Sequence, residues 1–148
     1  MPEAYRLALP ASPHVAAAAA GITIERARLQ LPNTAGPIIV EGAGGILVPL
    51  NDRETMADLM AWLGLPVVLV ARTALGTINH TLLSLEALRS RGLRVHGLVL
   101  NGDPVPATTA TLRTWGRVPI LAQIPPLQPL NAASLADAAR RWPEPADA

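Results

Sequence analysis

The sequence predicts an α/β fold in which a parallel β-sheet is flanked by helices. Three observations indicate this class: short aliphatic runs recur along the chain, helical patterns lie between them, and the composition favours aliphatic packing. The chain has three tryptophans, one tyrosine and no phenylalanine, so its core must consist mainly of Leu, Ile, Val and Ala. Such a core suits buried strands that lie beneath alanine- and leucine-rich helix faces.

The aliphatic runs predict four strands. Most are unbroken and rich in β-branched residues, as expected of strands that are buried on both faces. The last run is the least regular, because it contains Pro119. Proline is tolerated at the start of a strand better than inside it. The predicted strands are residues 37–40, 66–70, 95–100 and 118–121.

Helical patterns occupy most of the intervening chain. In the first helix Ser12 is suited to the N-cap, Pro13 to the first turn and Gly21 to the end. The predicted helices are residues 13–20, 54–63, 78–91, 107–115 and 132–141. The alternation of strands and helices predicts right-handed crossovers in one domain, residues 1–141, followed by a flexible tail, residues 142–148.

Charge and composition exclude several function classes. The net charge is +1 with both signs interspersed, so we expect no nucleic-acid partner. Without cysteine there is no disulfide framework, thiolate metal site or cysteine nucleophile. No apolar run is long enough to span a bilayer, and no signal peptide is apparent. We therefore expect a soluble cytoplasmic protein without a membrane partner.

Polar residues and glycines follow the predicted strands. Glu41 precedes Gly42, Ala43 and Gly44 directly after the first strand, where α/β sheets bind ligands. A carboxylate there suits Mg²⁺, and the glycines allow backbone N–H groups to approach a phosphate. A glycine-rich turn with a solvated glutamate is the alternative.

The second predicted strand leads into a helix at Gly76, Thr77 and Asn79. Thr77 is a plausible N-cap, and the unpaired N–H groups of a helix start could bind a carboxylate or phosphate. The alternative is an ordinary capped helix, and His80 is best explained by packing or hydrogen bonding.

Two further segments follow the third and fourth predicted strands. Asn101, with Gly102 next to it, could read an adenine edge through its amide. The apolar loop that contains Pro125, Pro126 and Leu127 could cover a base. Both segments are also consistent with ordinary turns. Their shared position after strand ends nevertheless predicts one ligand-binding rim on the sheet.

Together these segments resemble the dethiobiotin synthetase family. The resemblance rests on VEGAGGILVPL, on LPVVLVARTALGTINHTLLSLEALRSRGL with GLVLN following, on the Ser-Pro-His helix start and on IPPL. They occur in the family's order, cover nearly the whole chain, and are most specific in the glycine loop and the G-T-I-N-H segment.

The resemblance implies a P-loop NTPase-like fold, a homodimer, and closure of a ureido ring on 7,8-diaminononanoate with CO₂, ATP and Mg²⁺. It assigns Glu41 as a Mg²⁺ ligand. It also implies a nucleotide site and a substrate site, the latter binding the substrate carboxylate across the dimer interface. The nucleotide-binding residues are Glu41, Gly42, Ala43, Gly44, Asn101, Gly102, Pro125, Pro126 and Leu127, and the substrate-binding residues are Gly76, Thr77 and Asn79.

The chain departs from the family in its phosphate-binding elements. It contains no G-x-x-x-x-G-K-[ST] loop, and all twelve of its basic residues are arginines. The first strand that carries this loop is also missing, which predicts a gap in the sheet or an unpaired edge. Residues 22–36 are short for the family, because Pro32 ends the expected helix early.

Three hypotheses remain open. The chain could be catalytic with a P-loop segment supplied upstream or by a separate polypeptide. It could be a non-catalytic remnant that dimerises or binds a ligand. More remotely, it could be a different ATP-dependent P-loop protein. We expect little or no activity from these residues alone.

Overall fold

The computed structural model describes residues 3–140 and residue 142. The chain divides into two compact units. The first comprises the residues up to 65 together with 90–93, and the second comprises 66–89 and the residues from 94 onward. The single domain predicted for 1–141 stays a prediction, and the predicted tail lies outside the described residues except for Trp142. No helix in the described part of the chain is long and apolar enough to cross a membrane.

The first unit is built from two helices and long irregular segments. Helix α1 is Pro13–Ala19, a 3₁₀ turn covers Arg26–Arg28, and helix α2 is Met56–Leu63. Both helices were predicted, although the Ser12 side chain makes no capping hydrogen bond. The core of this unit is a cluster of buried apolar residues, which are Ala17, Ile24, Leu50, Met56 and Leu59.

The strand predicted at residues 37–40 is wrong. This segment has no regular secondary structure, and the Ile39 side chain is 95% exposed. A β-strand needs a neighbour to pair with its backbone groups, and none of the described residues forms a ladder with this segment. Its β-branched composition indicates strand propensity, which is expressed only where a partner strand is present.

A carboxylate stabilises the start of helix α2. The Asp58 Oδ2 atom accepts hydrogen bonds from the Thr55 hydroxyl and the Thr55 backbone N–H, each at 2.7 Å. The hydroxyl bond is the main cause, and the backbone bond the second, of a pKa for Asp58 below the ordinary value of 3.8. At the other end, Gly64 ends the helix in the left-handed conformation with φ +68°.

This arrangement predicts a pH-dependent contribution to stability. Because the folded-state pKa is depressed, the contribution is present above pH 3.8 and is lost as the pH falls through the folded-state pKa. We expect Asp58→Ala to lower the free energy of unfolding by about 1 kcal/mol at pH 7. The difference from the unsubstituted chain should shrink below pH 3.8, as measured by urea unfolding across a pH series. A difference that stays constant down to acidic pH would contradict this role.

The second unit contains a three-stranded parallel sheet. Its elements follow in the order β1 Val67–Arg72, α3 Thr77–Arg89, β2 Val95–Asn101, α4 Pro106–Gly116, β3 Ile120–Ile124 and α5 Ala132–Arg140. The sheet order is β1-β2-β3, so consecutive strands are neighbours and β1 is an edge strand. The predicted fold class is confirmed, as are the three strands and the three helices predicted for this part of the chain.

The core of the second unit lies between the sheet and helices α3 and α4. Its buried residues are Ala71, Leu85, Leu98, Leu100 and Leu112. On β1 the exposure alternates, so that Val68, Val70 and Arg72 are exposed while Leu69 packs against the core cluster. One face of the sheet is therefore covered by helices, and the β1 part of the other face is open.

Candidate functional site

The carboxyl ends of the three strands meet at one rim of the sheet in the second unit. Arg72 is in register with Asn101, and Asn101 is in register with Ile124. The Gly102 N–H donates a hydrogen bond to the Ile124 carbonyl at 2.8 Å, which ties the loop after β2 to the end of β3. The structure thus brings the predicted residues Asn101 and Gly102 next to the loop that begins at Pro125.

Gly102 is required at this rim for two reasons. Its φ is +134°, which residues with a side chain rarely adopt. A Cβ atom there would lie 2.3 Å from the Thr73 Oγ1 atom, so the backbone after β2 approaches the loop after β1 closely. The rim is therefore a compact surface on which the loops after β1, β2 and β3 converge.

A small cavity of about 70 Å³ opens at the end of β3. Two of its lining residues, Pro125 and Leu127, belong to the predicted apolar loop, whereas Pro126 does not line it. The other lining residues are Ala122, Gln123, Ile124, Asp137 and Ala138. The cavity combines apolar walls with an amide and a carboxylate, as small-molecule sites commonly do.

Gln123 and Asp137 were not predicted from the sequence. Gln123 carries a buried Nε2 atom without a hydrogen-bond partner in the described part of the chain. A signal was present, because Gln123 is the one polar side chain within the strand Ile120–Ile124. Asp137 gave no such signal, since it lies on an exposed helix and pairs with Arg140 at 3.2 Å.

The start of helix α3 differs in detail from the prediction. The His80 N–H donates to the Gly76 carbonyl at 3.1 Å, which puts Gly76, with φ +90°, at the N-cap position. Thr77 is instead the first helical residue and is buried. The N-cap prediction for Thr77 is therefore wrong, because the flexible glycine accommodates the turn into the helix.

The Thr77 side chain faces into the unit and not toward solvent. Its Oγ1 atom lies 3.4 Å from the Thr81 Oγ1 atom, and its backbone N–H donates to the Ala74 carbonyl at 3.1 Å. Gly76 and Asn79 are exposed beside it. Contact with a ligand at this helix start would therefore come more readily from Gly76 and Asn79 than from the Thr77 side chain.

The loop that contains Glu41 lies in the first unit. Glu41 is exposed, and a Cβ atom at Gly42 would lie 3.2 Å from the Met56 Cε atom. Gly44 has φ +77°, and a Cβ atom there would lie 3.0 Å from Val48 Cγ2. Ala43 lies between these two glycines and is exposed. Both glycines thus allow a tight turn that packs closely against its own unit.

The loop that contains Glu41 accepts hydrogen bonds from the first residues of helix α2. The Met56 N–H donates to the Val48 carbonyl at 2.9 Å, and the Ala57 N–H donates to the Ile46 carbonyl at 2.8 Å. These two donors are therefore unavailable to a phosphate, although helix starts commonly bind anions.

The donor atoms of Glu41 are suited to Mg²⁺, which prefers oxygen ligands. No group of three or more His, Asp or Glu residues that could hold a metal occurs in the described ranges. Mg²⁺ is often bound by only one or two carboxylates together with water and substrate phosphates. A lone Glu41 is compatible with that mode of binding and does not form a metal site by itself.

The fold and the rim define a class of α/β proteins, and comparison with known proteins identifies the family. The family model described as an AAA domain matches residues 1–134. The parallel sheet with its flanking helices is consistent with the P-loop NTPase-like fold of that family.

Several curated relatives are about 50% identical to this chain over the residues that match. An ATP-dependent dethiobiotin synthetase BioD of Novosphingobium aromaticivorans is 50% identical over 93% of this chain and 66% of its own length. One of Nitrobacter hamburgensis is 49% identical over 93% of this chain and 65% of its own length. The biotin biosynthesis bifunctional protein BioCD of Bordetella avium is 50% identical over 89% of this chain and 28% of its own length.

The chain belongs to the dethiobiotin synthetase family, which confirms the resemblance. It spans slightly less than two thirds of the BioD relatives that it matches. The residue roles at the rim and in the Glu41 loop remain predictions.

Proposed function

We propose that this chain provides the base-binding and substrate-binding part of an ATP-dependent dethiobiotin synthetase. The observation that supports this most strongly is the rim of the sheet, where Asn101, Gly102 and the loop from Pro125 lie together. The relatives match most of this chain, and their names agree with that activity.

The proposed reaction closes a ureido ring on 7,8-diaminononanoate. A carbamate forms from CO₂ on one amine and takes the γ-phosphoryl group of ATP, and the second amine then attacks this mixed anhydride and expels phosphate. Such a reaction depends on positioning two reactants and on stabilising the charge of the phosphoryl group.

Residues of the second unit would bind and orient these reactants. The Asn101 amide would hydrogen-bond to the base, Gly102 would let the backbone come close, and Pro125, Pro126 and Leu127 would cover the base. The exposed residues Gly76 and Asn79 at the start of α3, next to the buried Thr77, would bind the substrate carboxylate. The family's homodimeric arrangement is part of this proposal.

Residues of the first unit would contribute to metal and nucleotide binding. Glu41 would be a Mg²⁺ ligand, and Gly42, Ala43 and Gly44 would lie along the nucleotide. When bound, Mg²⁺ would neutralise phosphate charge. We also infer a cytoplasmic location for this activity.

Most phosphate-binding groups must come from outside these 148 residues. The chain contains neither lysine nor a G-x-x-x-x-G-K-[ST] loop, which together would cradle and neutralise the phosphates. The outer edge of β1 has no strand partner among the described residues, and Val70 within this strand is 60% exposed. An additional parallel strand at this edge would satisfy the free backbone groups, as strand addition does at open sheet edges. We infer that a P-loop segment binds there, whether it is carried by the same polypeptide or by a partner chain.

A growth experiment tests this proposal. The chain is expressed in a bacterial strain that lacks its own dethiobiotin synthetase, with and without a second polypeptide that covers the part of the Novosphingobium relative that this chain does not match. We expect growth without biotin only when both polypeptides are present. Growth with this chain alone would show that the loop is dispensable. No growth despite a stable complex of the two polypeptides would favour the non-catalytic alternative.

A further inference from the structure

Arg72 combines exposure, free charge and a position at the ligand-binding rim. It is the last residue of β1 and is exposed. Its guanidinium group makes no hydrogen bond or ion pair within residues 3–140. No role was predicted for it from the sequence, because a single arginine at a strand end carries no motif.

The register of the sheet determines which residue of the neighbouring strand lies beside Arg72. Paired residues on neighbouring parallel strands point to the same face, and Arg72 pairs with Asn101. The two strands lie about 4.8 Å apart. The Arg72 and Asn101 side chains therefore leave the sheet side by side, on the face opposite to Leu69 and Leu98.

The other arginines of the second unit lie elsewhere. Arg94 and Arg117 precede strands and so lie at the amino ends of the sheet, while Arg113 is on helix α4. Arg89 donates to the carbonyls of Gly116 and Arg117 at the end of α4. Arg140 on α5 pairs with Asp137. Within the described part of this unit, only Arg72 ends a strand at the carboxyl rim.

We propose that Arg72 binds the phosphate groups of the nucleotide whose base contacts Asn101. The inference rests on the proposed function and adds to it a specificity-determining residue. A guanidinium group offers paired N–H donors that match two phosphate oxygens, and it keeps its charge at all physiological pH values. In a chain without lysine, this group supplies positive charge at the rim where the phosphates follow the base.

The test compares ligands with and without phosphate. ADP and adenosine are titrated into the purified 148-residue chain and followed by NMR chemical shifts, which detect weak binding. We expect Arg72→Gln to weaken ADP binding about tenfold and to leave adenosine binding unchanged. Arg72→Lys should retain part of the ADP affinity, because it keeps the charge but loses the paired donors.

Arg94→Gln is the matched control, since it removes the same charge at the opposite end of the sheet. It should leave ADP binding unchanged. Equal ADP affinity in Arg72→Gln and the unsubstituted chain would overturn the assignment, and so would an equal loss in Arg94→Gln. If the unsubstituted chain bound neither ADP nor adenosine, the base site of the proposed function would fail together with this inference. Normal adenosine binding with an unaltered ADP affinity in Arg72→Gln would overturn only the role of Arg72.

Discussion

Leu100→Ala is expected to lower the free energy of unfolding by about 3 kcal/mol. The Leu100 side chain is fully buried at the centre of the apolar cluster between the sheet and helices α3 and α4. Removing three of its carbon atoms reduces the buried apolar area and leaves a cavity. The neighbouring side chains from β1, α3 and α4 can fill this cavity only in part. Urea unfolding followed by circular dichroism measures the effect.

Val70→Ala is the matched control on the neighbouring strand. Val70 is 60% exposed on the open face, so its truncation should change stability by less than about 0.5 kcal/mol. Equal effects of the two substitutions would contradict the assignment of the covered and open faces of the sheet. They would also remove the basis for placing Arg72 on the open face.

Gly97→Ala should destabilise the second unit by about 2–3 kcal/mol although it adds only one carbon. The added Cβ atom would lie 2.5 Å from Leu121 Cγ and 2.8 Å from the Pro119 carbonyl oxygen. That oxygen is held in place because it accepts a hydrogen bond from the Leu98 N–H at 2.8 Å. The clash would separate β2 from β3 and thereby disturb the rim at Asn101 and Ile124.

Gly36→Ala provides the comparison for this substitution. No atom lies within 4 Å of a Cβ built at Gly36, so the added methyl group should cost almost nothing. Thermal unfolding of the two variants measures the contrast. A Gly97→Ala variant as stable as Gly36→Ala would show that β3 does not pack against β2 as described.

The strands of the second unit were predictable because each carries its own signal and finds its partners nearby. The segment 95–101 is aliphatic and lies between β1 and β3, so its local propensity and its tertiary environment agree. Residues 37–40 carry a similar local signal but have no partner strand, and they are irregular. Strand pairing depends on distant parts of a chain, which local periodicity does not reveal.

The rim formed by the loops after β1, β2 and β3 was also predictable in outline, because carboxyl ends of parallel strands must meet at one edge of the sheet. The predicted place of Glu41 on this rim depended on a strand at residues 37–40, which does not form. The details were not predictable. Gly76, with its positive φ, takes the N-cap position, and Thr77 becomes the first helical residue and is buried. The sequence pattern does not reveal this backbone conformation. The approach of Gln123 to Asp137 around one cavity depends on where α5 packs, and no sequence spacing encodes that.

The proposed division of roles explains why a chain without lysine retains a well-formed rim. In this proposal, recognition of the base and of the substrate carboxylate would use amides, backbone groups and apolar side chains, all of which the described residues possess. Transfer of the phosphoryl group requires several positive charges near the γ-phosphate, and Arg72 would contribute only one of them.

Dethiobiotin formation by purified components tests the central claim most directly. Diaminononanoate, bicarbonate and MgATP are incubated with the 148-residue chain, with the P-loop segment, and with both, and the product is measured by mass spectrometry. We predict little or no product with either polypeptide alone and sustained turnover with both. Turnover by this chain alone would contradict the account, and so would its failure to support turnover in a verified complex with the P-loop segment.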